Sequence, residues 1–377
     1  MPFPSTPGEH HPVWQEFDSL IEPTTAQMDR LLEKFFALPP EETDWPEIFR
    51  EFAGKGHGDL PGLFRRISNS VPHTEATEMA FFYWAAAEVF EQRGLRDLLP
   101  EIASGFQRLD CDSYDPDALV HLEDCLLAAG FDASALRLCE HFLPILREGT
   151  ATGVLMPYAL PRLCGRIFDL RIGSALRGEF SAREPSPELA RALRAGIEDD
   201  IDADSAMTAA AAVLSEPPRA AWTREQFDLV TGDISRNDGA WRQALGLNAA
   251  LIGVAREAWQ SGQAAAGSAV VGLQMLLTSV YDSPARNAKR RKSGGNLISH
   301  LAPSGMEARI AAECREIIGV NVPRARLLLD AHDILLEFAV RHELISGTEA
   351  GQGGKEIARL RWELEEANQP AQDLRSR

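Results

Sequence analysis

Apolar side chains recur every three to four residues from position 13 to position 345, the spacing of one face of an α-helix. Val13, Trp14, Phe17, Leu20 and Ile21 mark a first helix. Met28, Leu31, Leu32, Phe35 and Phe36 mark a second, opened by a threonine cap at Thr24 or Thr25 and stopped by Pro39-Pro40. Ile48, Phe49 and Phe52 predict a short helix closed by the glycines at 54–58, and Leu60, Leu63, Phe64 and Ile67 predict another.

The pattern is clearest over 74–149. A helix starting at Thr74 or Thr77 carries Phe81, Phe82, Trp84, Ala85 and Phe90 and stops at Gly94. The next carries Leu98, Ile102, Phe106 and Leu109. Asp115-Pro116 starts a third, with Leu119, Leu122, Leu126 and Leu127, stopped at Gly130. Asp132 starts a fourth, with Leu136, Leu138, Phe142 and Ile145. Proline just inside a helix start and glycine just past its end are the expected punctuation. A shift of 36 residues superposes the two pairs, placing Gly94 on Gly130, Ile102 on Leu138, Phe106 on Phe142 and Phe90 on Leu126. Such a unit cannot bury both of its faces alone, so neighbouring units must supply the core.

The stretch Gly130-Phe131-Asp132-Ala133-Ser134-Ala135-Leu136-Arg137-Leu138-Cys139-Glu140 resembles the second half of a tetratricopeptide (TPR) repeat, with Gly130, Ala135 and Cys139 in its turn, small and large places. Glu123 stands where that family has the small residue at which two helices cross closely, and Leu99 fills the small place of the 94 unit. Gly262, Gly267 and Val271 make a third match, preceded by Ala255 at the close-crossing place. The resemblance implies an all-α fold, a right-handed stack of helical hairpins forming a TPR-like α-solenoid with two helical lobes, and peptide binding in a groove lined by the first helix of each pair.

The rest of the chain also reads as helical. Leu155 to Ile172 predict a helix interrupted near Pro157 and Pro161, and 181–187 a linker. Leu189, Leu193 and Ile197 begin another helix, and Met207 to Leu214 form an alanine-rich one. Pro217-Pro218 sets the domain boundary. A long helix carries Trp241 to Val254 and ends near Gly262, and its partner carries Val270 to Val280. Met306 to Ile318 and Pro323 to Ile345 complete the set. The expected organisation is a frayed terminus at 1–12, a helical-repeat lobe at 13–216, a second lobe at 219–345 with a basic loop at 283–303, and a Gly-rich linker, short helix and tail over 346–377. No alternating β-branched run appears, so almost no strand is expected.

Composition narrows the function classes. The 377 residues carry 38 basic and 56 acidic side chains, a net charge of −18, which disfavours nucleic acid and anionic membranes as partners. Only five basic residues are lysine, and the arginine, alanine and glycine bias points to a GC-rich bacterial genome. The N-terminus lacks a basic start and an apolar stretch, and the five cysteines form no CxxC pair, so a cytoplasmic chain with reduced, buried cysteines is expected.

No nucleophile elbow, HExxH helix or phosphate loop is present. The glycines at 351, 353 and 354 precede Lys355, but Glu356 follows and no strand precedes, so a flexible linker is the plainer reading. Asp199, Asp200 and Asp204 belong to an acidic run at calcium-loop or Mg²⁺-diphosphate spacing, yet Ser205 and Ala211 occupy the places of the loop's glycine and bidentate glutamate. A solvated, helix-capping turn is the alternative for that run. His121, Cys125, Cys139 and His141 fall on adjacent helices, although the last two point to different faces, so packing is favoured over a zinc site. Positive charge concentrates at Arg286, Lys289, Arg290, Arg291 and Lys292. This run is either a solvated loop or a dock for an acidic partner or a phosphate.

The sequence therefore supports a non-enzymatic helical-repeat scaffold binding a protein or peptide, without cofactor, with a homo-oligomer open. The alternative is a helical enzyme acting on a phosphorylated or diphosphate substrate, with Mg²⁺ at the 199–204 run and the 286–292 loop over the phosphate. A nucleic-acid-associated regulator ranks last.

Overall fold

The computed structural model describes residues 12–21, 23–74, 78–109, 115–151, 159–178, 210, 212–215, 221–227, 249–281, 310, 314–316 and 319–367. These residues are almost entirely helical. The only strand pairing among them is a two-residue antiparallel ladder, with Arg315 opposite Val320 and Glu316 opposite Gly319. None of their helices is long and apolar enough to cross a membrane. They divide into two compact units, one up to Leu122 and one from Glu123 onward. The expected boundary at Pro217-Pro218 lies outside the described residues.

The first unit holds α1 (Pro12–Ser19), α2 (Thr25–Phe36), α3 (Trp45–Gly54), α4 (Leu60–Ser70), α5 (Met79–Gln92), α6 (Leu99–Phe106) and the start of α7 (Pro116–Ala128). Helix starts are set locally. Thr24 and Gln27 form a reciprocal capping box on α2, and Asp44 and Asp59 each accept the N3 amide of the helix they cap. The core is aromatic: Phe17 stacks on Phe52, Phe64 stacks on Phe82, and Phe49 meets Phe82 edge-on. Helix α5 begins at Met79, later than Thr74 or Thr77, because Glu78 takes a left-handed turn at φ 49° and diverts the chain.

The second unit holds the rest of α7, then α8 (Asp132–Ala151), α9 (Ala159–Leu176), α10 (Ala249–Gln260), α11 (Ala266–Tyr281), β1 (Arg315–Glu316), β2 (Gly319–Val320), α12 (Val322–Arg341) and α13 (Gly347–Ala367). Helix α9 packs on α8 and α11, α11 on α10 and α12, and α12 on α13. Helices α9 and α11 cross so closely that a Cβ on Gly173 would lie 2.5 Å from the Cα of Gly267. Glycine is required there because any side chain would meet backbone.

The turns after α5, α7 and α10 share one geometry. Gly94, Gly130 and Gly262 have φ of 70°, 79° and 76°. At each, the glycine amide donates to the carbonyl three residues back, and the next amide reaches a carbonyl five back: Leu95 to Phe90, Phe131 to Leu126, Gln263 to Ala258. This double bond satisfies the last free carbonyls of a helix and needs a residue that tolerates positive φ. Phe106 and Phe142, paired by the 36-residue shift, are both fully buried.

Three expectations need correction. The helix read over Met306 to Ile318 gives way by Cys314 to the β1–β2 hairpin, closed where the Asn321 amide donates to the Cys314 carbonyl at 2.7 Å. The sequence there, Ile317-Ile318-Gly319-Val320, is β-branched and glycine-containing, both unfavourable to helix. The Gly-rich linker at 346–354 is instead the first two turns of α13. Ser346 and Glu349 form a capping box, and Gly353 is buried on the same stripe as Ile357 and Leu360. A Lys355 inside a helix excludes a phosphate loop there. Finally, α9 runs unbroken through Pro161, which occupies its first turn, where a missing N–H costs nothing.

Candidate functional site

A groove of about 480 Å³ opens in the second unit. The Gly130 and Gly262 turns and residues 263–265 form one side, and Leu327, Ala331 and Ile334 of α12 form the other. Its stitching is unusual. Asp132, read from the sequence as the cap of its own helix α8, instead caps α11. Its carboxylate accepts the Gly267 amide at 2.6 Å, the Ser268 amide at 3.0 Å and the Ser268 hydroxyl at 2.5 Å. Burial pushes the Asp132 carboxyl up, and these donors together with Arg177, 3.3 Å away, pull it back. The turn after α7 is thus fixed to the start of α11.

Asp330 and Asp333, one turn apart on α12, reach the groove with Arg361 of α13 between them. Arg361 lies 2.6 Å from Asp330 and 3.3 Å from Asp333. One guanidinium thus faces two carboxylates. Burial raises the Asp330 carboxyl, Arg361 opposes the rise and Asp333 adds to it. The small side chains of 128–130 and 264–265 leave the turn backbone accessible beside this charge.

A second feature is buried. Glu123, the residue at the close-crossing place of the repeat, is fully buried, as is Asp124. They meet a polar stripe on α9 made of Arg162, Arg166 and Asp169, spaced four and three apart on one face. Arg166 Nε approaches Glu123 Oε1 to 2.6 Å, a charge contact off the hydrogen-bond axis. Asp124 is well satisfied. Its Oδ2 accepts from Arg162 Nη2 at 3.0 Å and Asn321 Nδ2 at 3.1 Å, and its Oδ1 lies 3.7 Å from Arg166. Burial pushes the Asp169 carboxyl up to about 8, against the pull of Arg166 and with a push from Glu123. Burial, reinforced by Glu123, holds the Cys139 thiol well above its usual range, so Cys139 is no nucleophile.

In the first unit, a hollow of about 280 Å³ is lined by Arg65, Ser68, Asn69, Glu101, Ser104 and Arg108. Behind it the buried Tyr83 hydroxyl meets Ser68 Oγ at 2.8 Å, His73 Nε2 at 2.7 Å and Arg108 Nη2 at 3.3 Å. Burial raises the phenol, which keeps it protonated and makes this a packing lock.

Arg286, Lys289, Arg290, Arg291 and Lys292 lie outside the described residues, as do Asp199, Asp200 and Asp204. His121 stacks on Trp84 with ring centroids 4.7 Å apart, Cys125 and Cys139 are buried, and among the described residues no group of three His, Cys, Asp or Glu side chains could hold a metal. The groove carboxylates and the α9 stripe were not singled out from sequence. The signal for the stripe was present in the 162, 166, 169 spacing opposite an acidic residue at a helix crossing. Comparison of the chain with protein-family models, curated proteins and solved structures gives no match in any of the three.

Proposed function

We propose that the chain is a non-enzymatic helical-repeat scaffold that binds a basic peptide segment of a partner protein in the groove of the second unit. The observation that carries this reading is the excess of carboxylate at its wall, where Asp330 and Asp333 share only Arg361. A lysine or arginine side chain entering there completes the pairing. Leu127, Leu327 and Ile334 receive flanking apolar residues, and the exposed turn backbone offers hydrogen bonds. Shared turn geometry at Gly94, Gly130 and Gly262 supports a repeat origin. A net charge of −18 favours basic partners over long range.

The test is peptide display against the full chain, with counter-selection on Asp330→Asn/Asp333→Asn. Enriched peptides should carry Lys or Arg beside an apolar residue. They should bind the double variant at least about tenfold more weakly, the loss of one charge-assisted contact. Both carboxylates are partly exposed, so the variant should melt near the wild type. Enrichment of peptides without a basic residue, or equal binding by the variant, overturns the reading.

A further inference from the structure

The buried charge cluster does not balance. Three guanidinia, Arg162, Arg166 and Arg324, stand near Asp124, whose oxygens are already taken by Arg162, Arg166 and Asn321. Glu123 is taken by Arg166. Among the described residues no carboxylate lies within ion-pairing distance of the Arg324 guanidinium, and its Nε has no hydrogen-bond partner. Burial lowers the Arg324 guanidinium; Asp124 opposes this, while Arg162 and Arg166 add to it by repulsion. Asp169, the third acid of the cluster, holds its proton at neutral pH. At most two negative charges therefore face three positive ones. A largely buried, unpaired guanidinium is costly unless something pairs with it.

We infer that the Arg162–Arg166–Arg324 cluster is a binding site for a small carboxylate anion, with Arg324 as its principal donor. Several observations converge on this class of ligand. The imbalance is a single charge, which a monoanion cancels and a phosphate dianion overshoots. A guanidinium fork matches the two oxygens of a carboxylate. Arg162 keeps a quarter of its side chain exposed and Arg324 is also only partly covered, so the site has a mouth. The α12 amide nearest the cluster, that of Arg324, is already capped by Asn321, which leaves the side chains to do the binding. The site is distinct in chemistry from the acidic groove, and the two proposals fail independently.

The experiment is thermal unfolding of the full chain in sodium acetate, sodium phosphate and sodium chloride at matched ionic strength and pH 7, for the wild type, Arg324→Gln and Arg326→Gln. Arg326 lies two residues away and pairs with Glu365 at 2.8 Å, so its substitution removes the same charge outside the cluster. Acetate should raise the wild-type and Arg326→Gln melting temperatures above their chloride values as concentration rises. The acetate concentration giving half the effect should increase at least about tenfold in Arg324→Gln. Without acetate, Arg324→Gln should melt no lower than the wild type, because an unpaired charge has been removed. Equal responses to acetate and chloride, an undiminished response in Arg324→Gln, or a chain that needs Arg324 to fold would each overturn the inference. A response to phosphate without one to acetate would overturn the carboxylate assignment.

Discussion

Asp169 shows at single-residue scale how burial decides chemistry. Its side chain is 3 % exposed, its Oδ1 lacks a hydrogen-bond partner, and Arg166 one turn away is already engaged by Glu123. Burial therefore pushes its carboxyl up to about 8. In the unfolded chain the same carboxyl titrates near about 4. Between those two values the folded chain holds a proton that the unfolded chain has released. The stability that this proton supplies is complete below about pH 4 and is lost as pH rises toward about 8. Asparagine cannot ionise, so Asp169→Asn removes this slope. Urea unfolding at pH 5 and pH 8 should show the variant gaining on the wild type by up to about 4 kcal/mol between the two, an upper figure from about 1.4 kcal/mol per pH unit. An equal difference at both values would show that Asp169 is ionised in the fold. The binding of a carboxylate at the neighbouring guanidinia should weaken over the same range, since ionised Asp169 restores the charge balance.

At the scale of elements, glycines and caps set the architecture, and they divide what sequence reveals from what it hides. The turns at Gly94 and Gly130 were legible because a helix stop, an apolar stripe and a repeat shift all agree there. The caps at Thr24 and Asp115 were legible because each bonds within its own helix start. Asp132 was read as the same kind of cap, yet it bonds to residues 135 and 136 positions away. Nothing local distinguishes the two cases. The capping box of Ser346 and Glu349 was legible in principle, but three glycines between 351 and 354 outweighed it in the reading. Their cost to a helix, about 1 kcal/mol each, is offset once Gly353 and the Ile357–Leu360 stripe pack on α12. The crossing of α9 and α11 gives the sharpest test. Gly173→Ala places a methyl against the backbone of Gly267, which cannot rotate away. It should cost about 1–3 kcal/mol, the usual penalty for overpacking, read as a lower urea midpoint at unchanged slope. Unchanged stability would mean that the helices are further apart than the glycine pair implies.

For the whole molecule, the aromatic core of the residues up to Leu122 and the mixed core of those beyond Glu123 are built from different materials. The first relies on stacked and edge-on rings of Phe17, Phe49, Phe52, Phe64 and Phe82, fully or nearly fully buried. The second relies on small-residue crossings and a charge cluster, and both proposed sites lie within it. This contrast explains why composition alone was a weak guide to chemistry. A net charge of −18 describes the surface, whereas the one excess of buried positive charge falls on three arginines that a residue count cannot separate from the other thirty. The two cores also make a quantitative prediction. Gly105 in the first unit abuts the Tyr83 ring, 2.5 Å from where a Cβ would stand, and Gly173 in the second abuts Gly267. The two share no neighbour among those contacts. Substitutions at sites without shared partners add within about 0.3–0.5 kcal/mol. Gly105→Ala and Gly173→Ala should therefore each lower stability, and the double variant should lose the sum. Urea unfolding followed by far-ultraviolet circular dichroism measures all four chains of that cycle. A coupling beyond about 1 kcal/mol would mean that strain at one glycine reaches the other, and that the cores are not independent.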